Sequence, residues 1–208
     1  MKAGEFFQIP KSLNSPWRIQ EFLDQASYNS SGETRSPRIV LEMKRAHCME
    51  GALFAAACLE KGGFQPLILD MLAEDDDDHV IALFRHKGFW GAVAKSNFTT
   101  LRYREPVYRS LRELVMSYFD FYFNTLGVKS LRSYSRPVNL KKYELLNWRT
   151  TEDDLGEIGD SLNHIHHYPL ISKAQQKRLE VVGNYLLEAS LIGSNPDGLF
   201  VPGSPKKV

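Results

Sequence analysis

The sequence predicts an α+β fold in which a buried central helix packs on an antiparallel sheet, with additional helices at the C-terminal end. Three observations point there. The stretch Cys48 to Lys61 carries small apolar residues around most of its circumference, which suits a helix enclosed by protein rather than one lying on the surface. Two apolar runs, His79 to Arg85 and Phe89 to Ala94, flank the turn His86-Lys87-Gly88 and read as a hairpin. Leu111, Leu114, Val115, Tyr118 and Tyr122 recur at three and four residues, which predicts an amphipathic helix from about Val107 to Thr125.

The elements follow in order. Pro10, Pro16, Pro37 and the polar run from Asn29 to Thr34 interrupt the first 38 residues, leaving a lead-in helix around Trp17 to Ala26 and a loop. A short apolar start at Ile39 precedes the central helix, which Gly62-Gly63 ends where a left-handed residue costs little. Gln65 to Leu72 reads as a strand, followed by an acidic loop, Glu74 to Asp78, and then the hairpin. The C-terminal third offers a strand around Leu140 to Trp148. Two helices follow, one near Thr151 with Asp154 three residues on and one near Ser172 with Gln175, both resembling capping boxes. The tail, Ser194 to Val208, holds Pro196, Pro202 and Pro205 with a basic end and reads as irregular. The aromatic run Tyr118, Phe119, Phe121, Tyr122 and Phe123 exceeds what one helical face buries, and predicts packing between two layers. We read residues 1–208 as one domain, with a core over 39–126, an extension over 127–193 and a tail over 194–208.

Composition bounds the function. The chain has 208 residues, 43% of them hydrophobic, and 26 basic against 25 acidic residues give a net charge of +1. Such a balance provides no global attraction to nucleic acid or to an anionic membrane. No stretch is long and uncharged enough to span a bilayer, and the N-terminus lacks an apolar leader, so a cytoplasmic protein is expected. Cys48 and Cys58 on one helix stand ~15 Å apart along its axis, too far to bridge, so free thiols are expected.

A thiol that opens a helix feels the positive end of the helix dipole, and Cys48 does so while Cys58 does not. A nucleophilic thiol needs a base, and His79 at a strand start beside the central helix is the best candidate. The acidic run just before it is expected to favour imidazolium, which in turn favours thiolate. His47 is adjacent to Cys48 and projects elsewhere, and His86 sits in a turn. A third group that orients the ring is expected just after the partner strand in "FWGAVAKSNF", where Asn97 or its neighbour Ser96 stands, with Trp90 covering the pair.

A cysteine heading a small-residue helix, a Gly-rich break and strand, Asp-His at a strand start and a "GFW" strand resemble the transglutaminase-like superfamily, which shares the papain-like cysteine-enzyme fold. The resemblance covers roughly residues 40 to 100. It implies Cys48 as nucleophile, His79 as base and an aspartate a few residues past the tryptophan. That aspartate is missing here: Gly91 to Asn97 contain no acid. The resemblance therefore implies a cysteine-dependent acyl-transfer enzyme acting on a peptide or a small amide or ester, without cofactor or metal, with Cys48, His79 and Asn97 at its site. The alternative is a non-catalytic binding or scaffold module that keeps the fold.

Other features have plainer readings. The acidic loop lacks the glycine and terminal glutamate of an EF-hand and is expected to be a solvated charge run. His164, His166 and His167 do not have the spacing to surround an ion by themselves. Arg102, Arg104, Arg109 and Arg112, interleaved with Tyr103 and Tyr108, read as an anion-binding face or as partners of the acidic loop. Phosphate-loop, Gly-x-Ser-x-Gly, Cys-x-x-Cys and His-Glu-x-x-His motifs are absent from the sequence.

Overall fold

The computed structural model describes residues 8–205. The first seven residues of the expected lead-in and the last three of the basic tail lie outside the described residues. The fold is α+β. Its helices are α1 (Pro16–Gln25), α2 (Pro37–Met43), α3 (Cys48–Lys61), α4 (Leu111–Phe119), α5 (Gly156–Asn163), α6 (Lys173–Gln176) and α7 (Asn184–Ser190). Its strands are β1 (Ser27–Tyr28), β2 (Arg45–Ala46), β3 (Leu67–Ala73), β4 (His79–His86), β5 (Phe89–Val93), β6 (Arg104–Tyr108), β7 (Leu131–Ser135), β8 (Val138–Asn139) and β9 (His167–Pro169). The main sheet runs β6-β5-β4-β3-β7-β9, with β8 also on β3, and all of its pairings are antiparallel.

Both faces of this sheet are covered, which explains why its central strands are almost continuously apolar. Side chains alternate along a strand, so Ile68, Val80, Ala82, Phe84 and Val93 face α3, together with Leu23 of α1 and Ile158 of α5. Leu69, Met71, Ile81, Leu83 and Ala92 face the other way, onto Leu114, Val115 and Tyr118 of α4. Helix α3 is buried from Met49 to Leu59, as its all-round apolar surface requires. One position shows how close the packing is: a Cβ on Gly51 would stand 2.4 Å from the Lys95 Cβ. Lys95 itself is buried, and its ammonium donates to the carbonyls of Leu23 at 2.8 Å and Ala26 at 2.5 Å, where α1 ends and the helix dipole welcomes a cation.

The structure departs from the sequence expectations in several places. The hairpin turn has two residues, Lys87 and Gly88, since His86 pairs with Phe89; both have positive φ, 48° and 88°, as the mirror-image hairpin turn demands. The amphipathic helix is shorter than expected. Residues 104–108 form edge strand β6, where Pro106 lacks a donor, and Ser110 then caps α4 by accepting the Glu113 N–H at 3.1 Å. Residues 140–146 form 3₁₀ turns rather than a strand, because Asn139 accepts the Lys141 N–H and starts a helical turn that Asn147 stops at φ 47°. The segment at Ile39 is helix α2, with Pro37 in its first turn. No capping box starts at Thr151: α5 begins at Gly156, and Asp154 instead accepts the Thr34 N–H at 2.7 Å. Ser172 and Gln175 do form a capping box, on the four-residue α6. Among the described residues no helix is long and apolar enough to cross a membrane.

Candidate functional site

The start of α3 is built by a reciprocal cap. His47 accepts the Met49 N–H at Nδ1 (3.2 Å), and the Glu50 carboxylate takes the His47 N–H (2.8 Å). Glu50 is fully buried and also accepts from the Asn29 side-chain amide at 2.9 Å and the Arg35 N–H at 3.1 Å. One carboxylate thus fixes both the helix end that carries Cys48 and the loop from Asn29 to Arg35 opposite it. The short parallel pairing of β1 with β2 sets Tyr28 beside Ala46 at the same end.

These elements surround a cavity of about 450 Å³ lined by Tyr28, Cys48, Asp70, His79, Tyr122 and Phe200, among others. The Cys48 Sγ lies 3.8 Å from the carbonyl oxygen of Asp78, the residue before His79, so the thiol is directed at the start of β4. Burial pushes this thiol up to about 12. The Val80 and Met49 N–H groups act against that push, and the charges of Asp77 and Asp70 add to it. His79 is 4% exposed, and its Nε2 donates to the Leu101 carbonyl at 2.8 Å, which leaves Nδ1 as the accepting nitrogen. Burial pulls the ring down to about 4, against the Leu101 hydrogen bond and with Arg104. At neutral pH the two groups are therefore a thiol and a neutral imidazole. The imidazolium expected from the acidic run is not found, because desolvation is the largest influence on the ring and lowers it.

Asn97 lines the same cavity but does not orient His79. Its amide donates to the Asn195 carbonyl at 2.8 Å and its carbonyl accepts the Asn195 N–H at 2.7 Å, so both ends of the side chain hold the C-terminal strap. The orienting acceptor is the main-chain carbonyl of Leu101, in the 3₁₀ turn after β5. Ser96 accepts the Phe98 N–H at 3.0 Å and shapes that turn. Trp90 stands away from the cavity: it borders a separate hollow with Phe64 and Phe84, and Arg85 lies over its ring.

Asp76 to Asp78 of the acidic run form an ordered wall of the cavity, while Glu74 and Asp75 are exposed as a solvated loop would be. Asp76 is buried and accepts from the Ser130 hydroxyl at 2.6 Å, Asp78 accepts the Ala73 N–H at 2.7 Å, and Tyr122 donates to the Asp77 carbonyl at 2.8 Å. Three of the four arginines have partners outside that run. Arg102 binds Asp24, Arg104 stacks on Tyr118 and binds Ser117, and Arg112 donates to the Leu170 carbonyl. The three C-terminal histidines separate: His164 caps α5, His166 packs edge-on to Tyr168, and His167 binds Asp70.

Two features escaped the reading of the sequence. A main-chain carbonyl carries no sequence signal, so Leu101 was not legible. Asp70 was legible in principle, since a lone carboxylate inside the apolar strand "LILDMLA" is costly unless something pairs with it. No family model matches the chain, and no curated protein matches it significantly.

Proposed function

We propose that the protein is a cysteine-dependent acyl-transfer enzyme acting on an amide or ester, with a transglutaminase-like core over residues 39–126. The observation that carries this is a helix-opening thiol and a buried imidazole on one cavity, the ring held by a main-chain carbonyl so that one nitrogen is basic. Because both groups are neutral at rest, the proton moves as the bond forms. His79 Nδ1 takes the thiol proton while the sulfur attacks the substrate carbonyl carbon. The resulting oxyanion is stabilised at the N-terminus of α3, where the Cys48 N–H is the first donor of the helix. Collapse breaks the bond to the amine or alcohol, which leaves with the proton from the imidazolium. Water, deprotonated by the same ring, then cleaves the thioester and restores the thiol.

A second reading, a binding or scaffold module, is favoured by one observation: the acceptor on His79 is a neutral main-chain carbonyl, and Asn97, expected to orient the ring, holds the strap instead. Release of p-nitrophenol from p-nitrophenyl acetate separates the two. The enzyme reading expects a burst of one equivalent that Cys48→Ala abolishes and Cys58→Ala retains. The module reading expects the same slow release from all three proteins.

A further inference from the structure

The C-terminal extension brings a histidine to Asp70, a carboxylate that lines the cavity. His167 on β9 reaches Asp70 on β3, with Nε2 3.0 Å from the carboxylate, while its Nδ1 lies 2.9 Å from the Ile165 carbonyl. Both ring nitrogens thus face oxygen acceptors, and an imidazole satisfies two acceptors only when both nitrogens carry protons. The pair is well shielded, its side chains 10% and 4% exposed, and Asp70 lines the cavity that holds Cys48. Strand β7 connects the two partners: it pairs with β3 on one edge and, through Ser135 opposite His167, with β9 on the other. Ser135 also accepts the Asp70 N–H at 3.0 Å. A residue of the C-terminal extension is thereby tied, through Asp70, to the cavity that holds Cys48.

We infer that the protonated His167 is a positioning residue for Cys48: by supplying a countercharge to Asp70, it limits the opposition of that buried carboxylate to charge on the sulfur. The inference rests on Cys48 being the reactive thiol of the preceding reading, but not on turnover. The groups that bear on the sulfur are Asp77 and Asp70, with the Tyr28 and Tyr122 hydroxyls and His79 on the same cavity. Those that bear on His167 are Asp70 and Asp78, with Tyr168 on its own strand and Tyr134 beside that on β7. Asp70 is common to both sets, and this is what couples them. The Asp70 hydrogen bond is the main cause that raises His167 above its ordinary 6.5, so the countercharge persists to higher pH than on a free imidazole and is lost as the pH rises beyond that raised value.

The test is the rate of Cys48 alkylation by iodoacetamide, read peptide by peptide with Cys58 as internal reference, over a range of pH. His167→Gln keeps a donor toward Asp70 but removes the charge. Below the His167 titration it slows Cys48 about tenfold, and the gap from wild type closes as the pH rises through that titration. Asp70→Asn/His167→Gln, in which the pair is again uncharged overall, returns the rate toward wild type. A structural role produces neither the closing gap nor the rescue. Equal pH profiles for wild type and His167→Gln overturn the inference, as does a double variant no faster than the single one. Should His167→Gln not fold, Asp70→Asn serves: it leaves Cys48 at least as fast as wild type, and a slower Cys48 in that folded variant overturns the inference. If Cys48 shows this behaviour yet no acyl group is transferred from an ester, the acyl-transfer reading fails while the coupling stands.

Discussion

The two ends of α3 each carry a cysteine, and the comparison is instructive because burial treats both alike. Cys48 and Cys58 are each pushed up to about 12, and in each case desolvation is the first cause. Acidity alone would not separate them. What differs is the surroundings: Cys58 is enclosed by α3's neighbours near Lys61, a turn from the helix end. Cys48 opens the helix onto a cavity that His79 also lines, with the histidine ring fixed by a main-chain carbonyl. If Cys48 is the nucleophile proposed above, it is set apart from Cys58 by the space in front of it and the histidine on the same cavity, not by a depressed resting value.

The largest test of that contrast is replacement. Cys48→Ala removes covalent capture of an activated acyl ester altogether, whereas Cys58→Ala leaves it intact and costs about 1 kcal/mol of stability through lost packing, checked by urea denaturation. Next comes the base. His79→Gln lowers the rate of acylation on the order of 10²-fold at neutral pH. The same ring also contributes a pH-dependent stability of definite sign. Between its ordinary 6.5 and its folded value of about 4 the unfolded chain binds more protons than the folded one. Stability is therefore full above that window and falls as the pH falls through it, by on the order of 2–3 kcal/mol. Denaturation midpoints on either side of the window show the fall in wild type and a flatter profile in His79→Gln.

Two smaller effects sharpen the difference between the site's framework and its chemistry. Gly51→Ala drives a Cβ into Lys95 and costs ~2 kcal/mol or more, because neither the buried helix nor the clamped lysine yields easily. An equivalent small-to-large change near Cys58 would test only the core. Asn97→Ala frees the strap at Asn195 and is expected to cost ~1–2 kcal/mol and to expose residues 194–200 to limited proteolysis. It leaves the pH dependence of acylation unchanged, since Asn97 does not touch His79.

How much of this was legible follows from where each signal resides. The central helix, the hairpin and the helix-opening thiol announce themselves through periodicity, turn residues and a glycine break, all of them local. The pairing of β7 between β3 and β9 depends on contacts some 60 and some 35 residues apart, and short strands such as Val138–Asn139 hold too few residues to show alternation. The third member of the site was sought among side chains after β5, at Asn97 and Ser96. The acceptor is the Leu101 carbonyl, beyond that segment, and a peptide carbonyl can satisfy an imidazole as well as an amide can while leaving no trace in composition. The acidic run was misread in part for a related reason: consecutive acids look solvated, as Glu74 and Asp75 are, until Ser130 and Tyr122 from later in the chain, with the preceding Ala73 N–H, hold Asp76 to Asp78.

The central claim, that Cys48 with His79 forms the nucleophilic pair, is tested most directly by residue-resolved mass spectrometry after brief exposure to p-nitrophenyl acetate. The account predicts an acetyl thioester on the Cys48 peptide, little or none on the Cys58 peptide, and a loss of acylation on the order of 10²-fold in His79→Gln at neutral pH. Equal acylation of the two cysteines, or a Cys48 thioester that forms at the same rate without the His79 imidazole, would contradict it.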